Sequence, residues 1–432
     1  MREMKDSGIE WIGEIPEEWK VTNLGYFTQM IVPMRDKPTS FDGNIPWIRI
    51  EDFDGKYIDK SKSNQNVSEE LIKNMNLKKY PIGTVLCSCS CDLGKCAIVS
   101  KEICSNQTFI GIVPQQGKIG SSFLFYLMKS NAERLNYLSS GTIQSYLSRI
   151  DFEHLKIQNP PFVQQQQITA YLDSKCAQID TILEKTKATI EEYKKLKQSV
   201  ITEAVTKGLD PTVPMKDSGV EWIGRIPEKW KIQKLATVSD IQTGPFGSQL
   251  HNEDYVDVGT PIITVEHFGN MIIKHENLPF VCDADCIRLS KYKLNTGDLV
   301  FSRVGSVDRS VIVTESEDGW LFSGRCLRVR FLRGFSSKFI SYAFCKDEFK
   351  LYMKLHAVGS TMPSINTTIL SNIRIPVPSL FEQKQIADYL DYKCSQLDTL
   401  IEKKQQLVIE LESYKKSLIY ECVTGKLEVP TV

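Results

Sequence analysis

The stretch MKDSGIEWIG at Met4 returns as MKDSGVEWIG at Met215, and this repeat constrains the fold of the chain more than any other feature. A shift of 211 positions pairs KDSGIEWIGEIPEEWKV (Lys5 to Val21) with KDSGVEWIGRIPEKWKI (Lys216 to Ile232). A shift of 218 then pairs QQQITAYLDSKCAQIDTILEK from Gln165 with QKQIADYLDYKCSQLDTLIEK from Gln383, and holds through EAVTKGL and ECVTGKL. The shifts differ by seven residues, so the second copy carries small insertions between its matching ends. Between those ends the copies diverge: NIPWIRIEDF only loosely echoes GTPIITVEHF, and GTVLCSCSCDLGKCAIV echoes GDLVFSRVGSVDRSVIV. A duplicated catalytic domain would keep its chemistry in both copies. A duplicated reader of two different ligands would keep its scaffold and vary its surface, which is the pattern found.

Each variable region has short β-branched and aromatic runs punctuated by Gly and Pro, such as IPWIRI, TFIGIVP, TPIITV and CLRVRFL, which predict strands and turns. Each also carries one helical segment near its end, SSFLFYLMKSNAERLNYL and SSKFISYAFCKDEFKLYMKL. After Pro161 and Pro378 the chain changes in kind, running about 45 residues rich in Lys, Glu, Gln, Leu and Ile until Gly208 and Gly425, where a helix would stop. Ile179, Thr186, Tyr193 and Val200 recur every seven positions, with Ile182 or Leu183, Ile190, Leu196 and Ala204 in the second seam position. In the later stretch Leu397, Leu411 and Leu418 recur, with Leu400, Ile401, Leu407, Val408 and Tyr414. Such helices would span about 66 Å. Each could pack on its own globular domain, but the heptads predict that the two pair as a coiled coil.

The length of 432 residues suggests two or three domains, and 41% hydrophobic with 25% charged residues is a globular profile. With no apolar run long enough for a membrane span and no secretory pattern in MREMKDSGIE, a cytoplasmic location is expected. In that setting the twelve scattered cysteines are expected as free thiols. The balance of 53 basic and 53 acidic side chains excludes a polycation that grips nucleic acid by bulk charge.

Two variable α+β domains, each headed by KDSG.EWIG.IP..W and followed by PPFVQQQQITAYLD or VPSLFEQKQIADYLD and a long helix, resemble the specificity subunit of type I restriction-modification systems. The resemblance spans essentially the whole chain. It implies an α+β fold of two target-recognition domains in tandem, each followed by a long helix, the helices pairing as an antiparallel coiled coil with pseudo-twofold symmetry. The expected boundaries are 1–160 and 211–378 for the recognition domains, with 161–210 and 379–432 for the helices. It implies further that each domain reads one half of a bipartite, asymmetric double-stranded DNA target. The helices would set the spacing and dock two methyltransferase subunits, which restriction subunits join. The subunit itself would be non-catalytic and without a cofactor, S-adenosylmethionine, ATP and Mg belonging to the partners. In the repeated head, Trp11, Ile12, Ile15 and Trp19 around Gly13 and Pro16 suit an arm that packs each reader onto the helical frame.

Candidate DNA contacts follow from arginine's fit to guanine edges and phosphates. In the second reader they are Arg303 and Arg309 around a glycine turn, Arg328 and Arg330 on one strand face, and Gly247 and Ser248 in GPFGSQL. A solvated strand edge is the competing role for such arginines. In the first reader they are Arg35, Lys37, Arg49 and Lys56. The matching loops GTIQSY (Thr142, Gln144, Ser145) and GSTMPS (Ser360, Thr361) are expected to touch the DNA backbone. NPPF (Asn159 to Phe162) looks like the loop of amino methyltransferases, but no glycine-rich cofactor loop precedes it and the second copy reads VPSL, so it is expected to be an exit from domain to helix. Cys87, Cys89 and Cys91 alternate as along a strand rather than in zinc-knuckle spacing, and no metal site is expected.

Overall fold

The heptad-patterned stretches form two long helices, Phe162–Lys207 of 46 residues and Leu380–Thr424 of 45 residues. Gly208 and Gly425 follow them with φ of +77° and +75°, the left-handed conformation that stops a helix. A computed structural model describes residues 2–33, 36–90, 92–138, 146–245, 249–359 and 362–430. The chain divides into two units: Met1–Lys187 with Gln406–Val432, and Ala188–Gln405. Each unit thus holds one variable region and a portion of both long helices.

In the first unit Leu172, Cys176, Ile179 and Leu183 of the first long helix are buried in one core with Leu418 and Cys422 of the second. Asp180 pairs with Lys415 at 2.6 Å and Lys187 with Glu412 at 2.9 Å, so the segments run antiparallel. In the second unit Ile201, Ala204 and Val205 are buried with Ile386, Leu390 and Cys394. Lys197 reaches Asp398 at 2.6 Å. The predicted seam needs correction at three residues. Leu196, Leu400 and Tyr414 are exposed, at 49%, 42% and 55%. Lys197, one residue or about a quarter of a turn past the expected Leu196, is the residue turned inward. Of the alternatives Ile182 and Leu183, it is Leu183 that is buried in the first unit's seam.

The first variable region builds two sheets. The larger orders its strands Thr28–Ile31, Phe109–Pro114, Val85–Ser88, Cys96–Val99 and Tyr57–Ile58. The smaller orders Asn66–Val67, Ile45–Ile48, Ile103–Ser105 and Lys79–Tyr80. The second region repeats the plan, with Ser239–Thr243, Cys326–Phe331, Leu299–Ser302 and Ser310–Ile312 in one sheet, and Tyr255–Val256, Phe280–Val281, Thr260–Ile263 and Leu321–Phe322 in the other. The helical segment expected in each is two helices. Ser121–Ser130 stops at Asn131, whose buried amide donates to Leu127 O at 2.8 Å, before Ala132–Leu138. Ser337–Phe344 and Asp347–His356 are separated by Cys345 and Lys346, and the extended backbone of Lys346 goes with a buried amine that donates to Trp222 O at 2.9 Å.

Cys87 and Cys89 are buried in the first core with Cys96, whose strand pairs Cys96 against Cys87, and Cys91 lies outside the described residues. The described cysteines are free. Among the described residues no His, Cys, Asp and Glu cluster could hold a metal, and no helix is long and apolar enough to cross a membrane.

Candidate nucleic-acid interface

The repeated head forms a hairpin in each unit, Met4–Asp6 with Glu14–Pro16 and Met215–Asp217 with Arg225–Pro227. Asp6 and Asp217 each accept the N–H two residues on, at 2.9 Å, which shapes the turn. The hairpins pack on the long helices as the sequence leads one to expect. Trp19 is fully buried and its indole N–H donates to Gln164 Oε1 at 2.8 Å, while Trp230 donates to Glu382 Oε1 at 2.9 Å. Tyr420 reaches back to the Trp11 carbonyl at 3.0 Å. Arg134 lies over the Trp11 ring at 4.0 Å and Lys346 over the Trp222 ring at 5.9 Å.

The shared helix motif has physical roles that the sequence reading missed. Gln165, 1% exposed, accepts the Gly120 N–H at 2.9 Å and donates to Lys118 O at 2.9 Å and Pro160 O at 3.0 Å. Gln383 accepts the Ser336 N–H at 2.8 Å and donates to Pro378 O at 3.0 Å. Asp173 accepts the Tyr126 hydroxyl at 2.6 Å, as Asp391 accepts that of Tyr342 at 2.8 Å. Burial, then the neighbouring carboxylate, pushes both phenols well above their usual range. Gln165 and Asp173 recur at the shift of 218 as Gln383 and Asp391, which is the signal that could have found them. NPPF is the junction of strand Lys156–Asn159 with the first long helix, as expected of an exit.

Loops that differ between the copies meet at one end of one sheet in each unit, the sheet holding Val85–Ser88 in the first and Leu299–Ser302 in the second. In the second unit Thr243 pairs with Leu327, Ser302 with Cys326 and Phe301 with Ser310. The chain therefore leaves Thr243, turns through 303–309 and enters Cys326 on the same rim. Ser364 bridges to Val304 and brings its loop there as well. The first unit is built alike: Ile31 pairs with Gly111, Ser88 with Phe109 and Cys87 with Cys96, and Tyr146 bridges to Ser90.

Of the candidate contacts, Arg303 and Arg309 lie on this rim. Arg303 donates from Nη1 to Gly324 O at 3.1 Å, and Arg309 is exposed. Arg325, which the sequence reading passed over, is exposed beside them, its carbonyl accepting the Arg303 N–H at 2.8 Å. Arg49 sits on the rim of the first unit, lining a cavity with Ile50, Glu51, Ser90, Asn106 and Thr108.

Other candidates are held elsewhere. Lys56 is bound to the long helix, its amine 2.5 Å from Asp173 and 5.1 Å from the Tyr126 ring centre. Arg328 and Arg330 occupy a central strand, not a solvated edge, between Ser239–Thr243 and Leu299–Ser302. Arg328 is 4% exposed and paired with Asp240, and Arg330 holds Asp298 at 2.6 Å and 2.8 Å. Burial and then the charge of Arg330 lower the pKa of Arg328, whereas the Asp298 hydrogen bond raises that of Arg330. Arg35, Thr142, Gln144, Ser145, Gly247, Ser248, Ser360 and Thr361 lie outside the described residues.

This geometry defines a class: tandem α+β modules with a common attachment to paired helices and a rim that differs between copies. The model of the type I restriction modification DNA specificity domain matches the chain twice, over residues 16–192 and 227–412. The chain belongs to that family, as a specificity subunit with two recognition domains in tandem. It is 26% identical over 424 residues to the type I restriction enzyme MjaVIII specificity subunit of Methanocaldococcus jannaschii, covering 96% of this chain and 94% of that one. With the EcoKI specificity subunit of Escherichia coli it shares 21% over 447 residues, covering 96% and 90%. Among solved structures, a chain from work on complex assembly and conformational transition of the type I R-M system superposes with a TM-score of 0.75 at 20% identity, covering 96% and 99%. The HsdS subunit of Thermoanaerobacter tengcongensis gives 0.52 at 17%, covering 96% and 98%.

Proposed function

We propose that each recognition domain reads one half of a bipartite, asymmetric DNA target through this rim, and that the long helices dock the methyltransferase subunits, which restriction subunits join. Catalysis, and with it S-adenosylmethionine, ATP and Mg, resides in those partners. One observation carries the reading. The two units repeat their attachment to the helices almost group for group, yet carry different side chains on equivalent rims. A common frame with two faces suits one assembly and two unlike half-sites. Rim arginines would supply base and phosphate contacts, with affinity falling as salt rises.

Replacing residues 211–378 with the second reader of a relative, in a host carrying the whole system, tests this by methylome sequencing. One half-site is expected to change while the other persists. Two unchanged half-sites, or two changed ones, would sink the assignment of one reader to each half-site.

A further inference from the structure

Arg49 and Thr264 hold the same place in their own units. Each follows a strand of the smaller sheet and opens a single 3-10 turn, Ile50–Asp52 in one and Val265–His267 in the other. In both, a buried third residue locks the turn. Asp52 accepts the Arg49 N–H and the Lys62 N–H, each at 2.7 Å. His267 Nδ1 accepts the Thr264 N–H at 3.0 Å. The turn is equivalent and a glutamate follows in each, Glu51 and Glu266. The leading side chain is a guanidinium in one copy and a small hydroxyl in the other.

In the first unit this guanidinium faces a cavity of about 190 Å³ whose walls include Ser90, Asn106 and Thr108. Its Nη2 lies 2.7 Å from Glu51 Oε1 and 2.8 Å from Ser63 Oγ, and its shielded Nε has no hydrogen-bond partner. The side chain remains 34% exposed. An arginine held through Nη2 has its plane fixed before a ligand arrives, so less rotamer freedom is lost on contact. Nη2 is committed to Glu51 and Ser63 and Nε is shielded, so Nη1 is the group left to donate, and guanine alone presents two adjacent acceptors, O6 and N7, to such a donor in the major groove.

We propose that Arg49 is a specificity-determining residue that reads a guanine in the half-site bound by the first reader, with Glu51 and Ser63 positioning its guanidinium. Thr264 gives the second reader a different preference at the equivalent place. This rests on the function proposed above and adds a residue and a base to it.

The test uses the complex reconstituted with its methyltransferase subunits, carrying wild-type chain, Arg49→Lys or Arg49→Thr. DNA libraries randomised across the first half-site are methylated and the modified motif is sequenced. Preference for guanine at one position should fall on the order of 10- to 100-fold in both variants, with the second half-site unchanged. Arg49→Lys keeps the charge and most of the stem, so it carries the test if the threonine variant does not assemble. Unaltered guanine preference in the assembled lysine complex overturns the proposal. So does a loss that is uniform across sequences, with the salt slope reduced by about one for Arg49→Thr, which marks a phosphate contact. If the exchange of residues 211–378 alters one half-site while Arg49→Lys leaves stringency intact, this inference alone fails. If the exchange alters neither, the parent reading fails with it.

Discussion

Gln165 closes the joint between the first recognition domain and its helix, and exchanging it for glutamate makes that joint titrate. The wild-type amide is 1% exposed, accepts the Gly120 N–H at 2.9 Å and donates to Lys118 O at 2.9 Å and Pro160 O at 3.0 Å. Gln165→Glu preserves the volume and the acceptor for Gly120. It removes both N–H donors and turns a carboxylate oxygen toward two carbonyls. Burial and those dipoles disfavour the charged form, and a shift of about 3 units, common for such sites, puts the folded-state pKa near ~7. The unfolded value is about 4.3. Because the folded pKa is the higher, the native state binds the extra proton between the two values, and stability is lost as pH rises. Below the unfolded pKa the protonated acid still donates one hydrogen bond, and the variant lies about 1–2 kcal/mol under wild type. Between pH 5 and pH 7 roughly 2.5 kcal/mol more disappears, at about 1.36 kcal/mol per unit. Urea unfolding of both proteins across this range measures it, since the difference cancels the other titrating groups. Gln383→Glu should act alike in the second unit, where the amide accepts from Ser336 and donates to Pro378 O. A gap to wild type that is the same at pH 5 and pH 8 refutes the reasoning.

Two further outcomes are expected. Gly425 has φ of +75°, and a Cβ there would stand 2.5 Å from the Pro16 ring and 3.0 Å from Trp19, so Gly425→Ala should destabilise by about 2–4 kcal/mol. Gly117→Ala, with φ of +76° and open space around it, should cost only about 1 kcal/mol, and equal losses in melting temperature would contradict this. The hydrogen bond from Arg2, helped by the backbone and Gln164, holds the Glu18 carboxyl at about 2. Its stabilising contribution is therefore present above the ordinary carboxylate range and lost as pH falls toward 2. Arg2→Ala should return the value toward 4.5, measurable by NMR titration, and an unmoved Glu18 resonance would exclude Arg2 as the cause.

The repeat made the frame legible because packing of the same elements requires the same residues. The tryptophans of the head, the helix-ending glycines and the seam through Ile179, Thr186 and Ile190 are all where the sequence leads one to expect. Other features depend on partners far away in the chain. Nothing local marks Lys346 as a helix break, since its amine is satisfied by a carbonyl 124 positions earlier. Hydrophobicity drew the seam to Leu196, but the 3–4 spacing runs from Tyr193 to Lys197, whose stem lies inward while its amine finds Asp398. Arg328 and Arg330 read as reaching outward because their partners Asp240 and Asp298 lie far off in the sequence, one on the strand Ser239–Thr243 and one just before Leu299–Ser302.

Lys56 shows why a difference between the copies is not enough to mark a reading residue. Asp173 and Asp391 are equivalent, and each takes a tyrosine hydroxyl and a lysine amine. The lysine comes from the turn before Tyr57–Ile58 in the first unit, as Lys56, and from the helix Ser337–Phe344 in the second, as Lys338. The frame thus requires a positive charge at a place and not at a sequence position, so a basic residue can sit in a divergent stretch and still serve attachment. A reading residue must satisfy more: it must differ between the copies, stand on the rim, and be carried by backbone that does not differ. Arg49 against Thr264 meets all three conditions, on two 3-10 turns locked in the same way. Arg303 and Arg309 share the rim, but Arg303 already spends one N–H on Gly324 O. Specificity carried on such a turn can change with one side chain while the joint to the helices is left untouched, and that separation lets one frame serve two different half-sites.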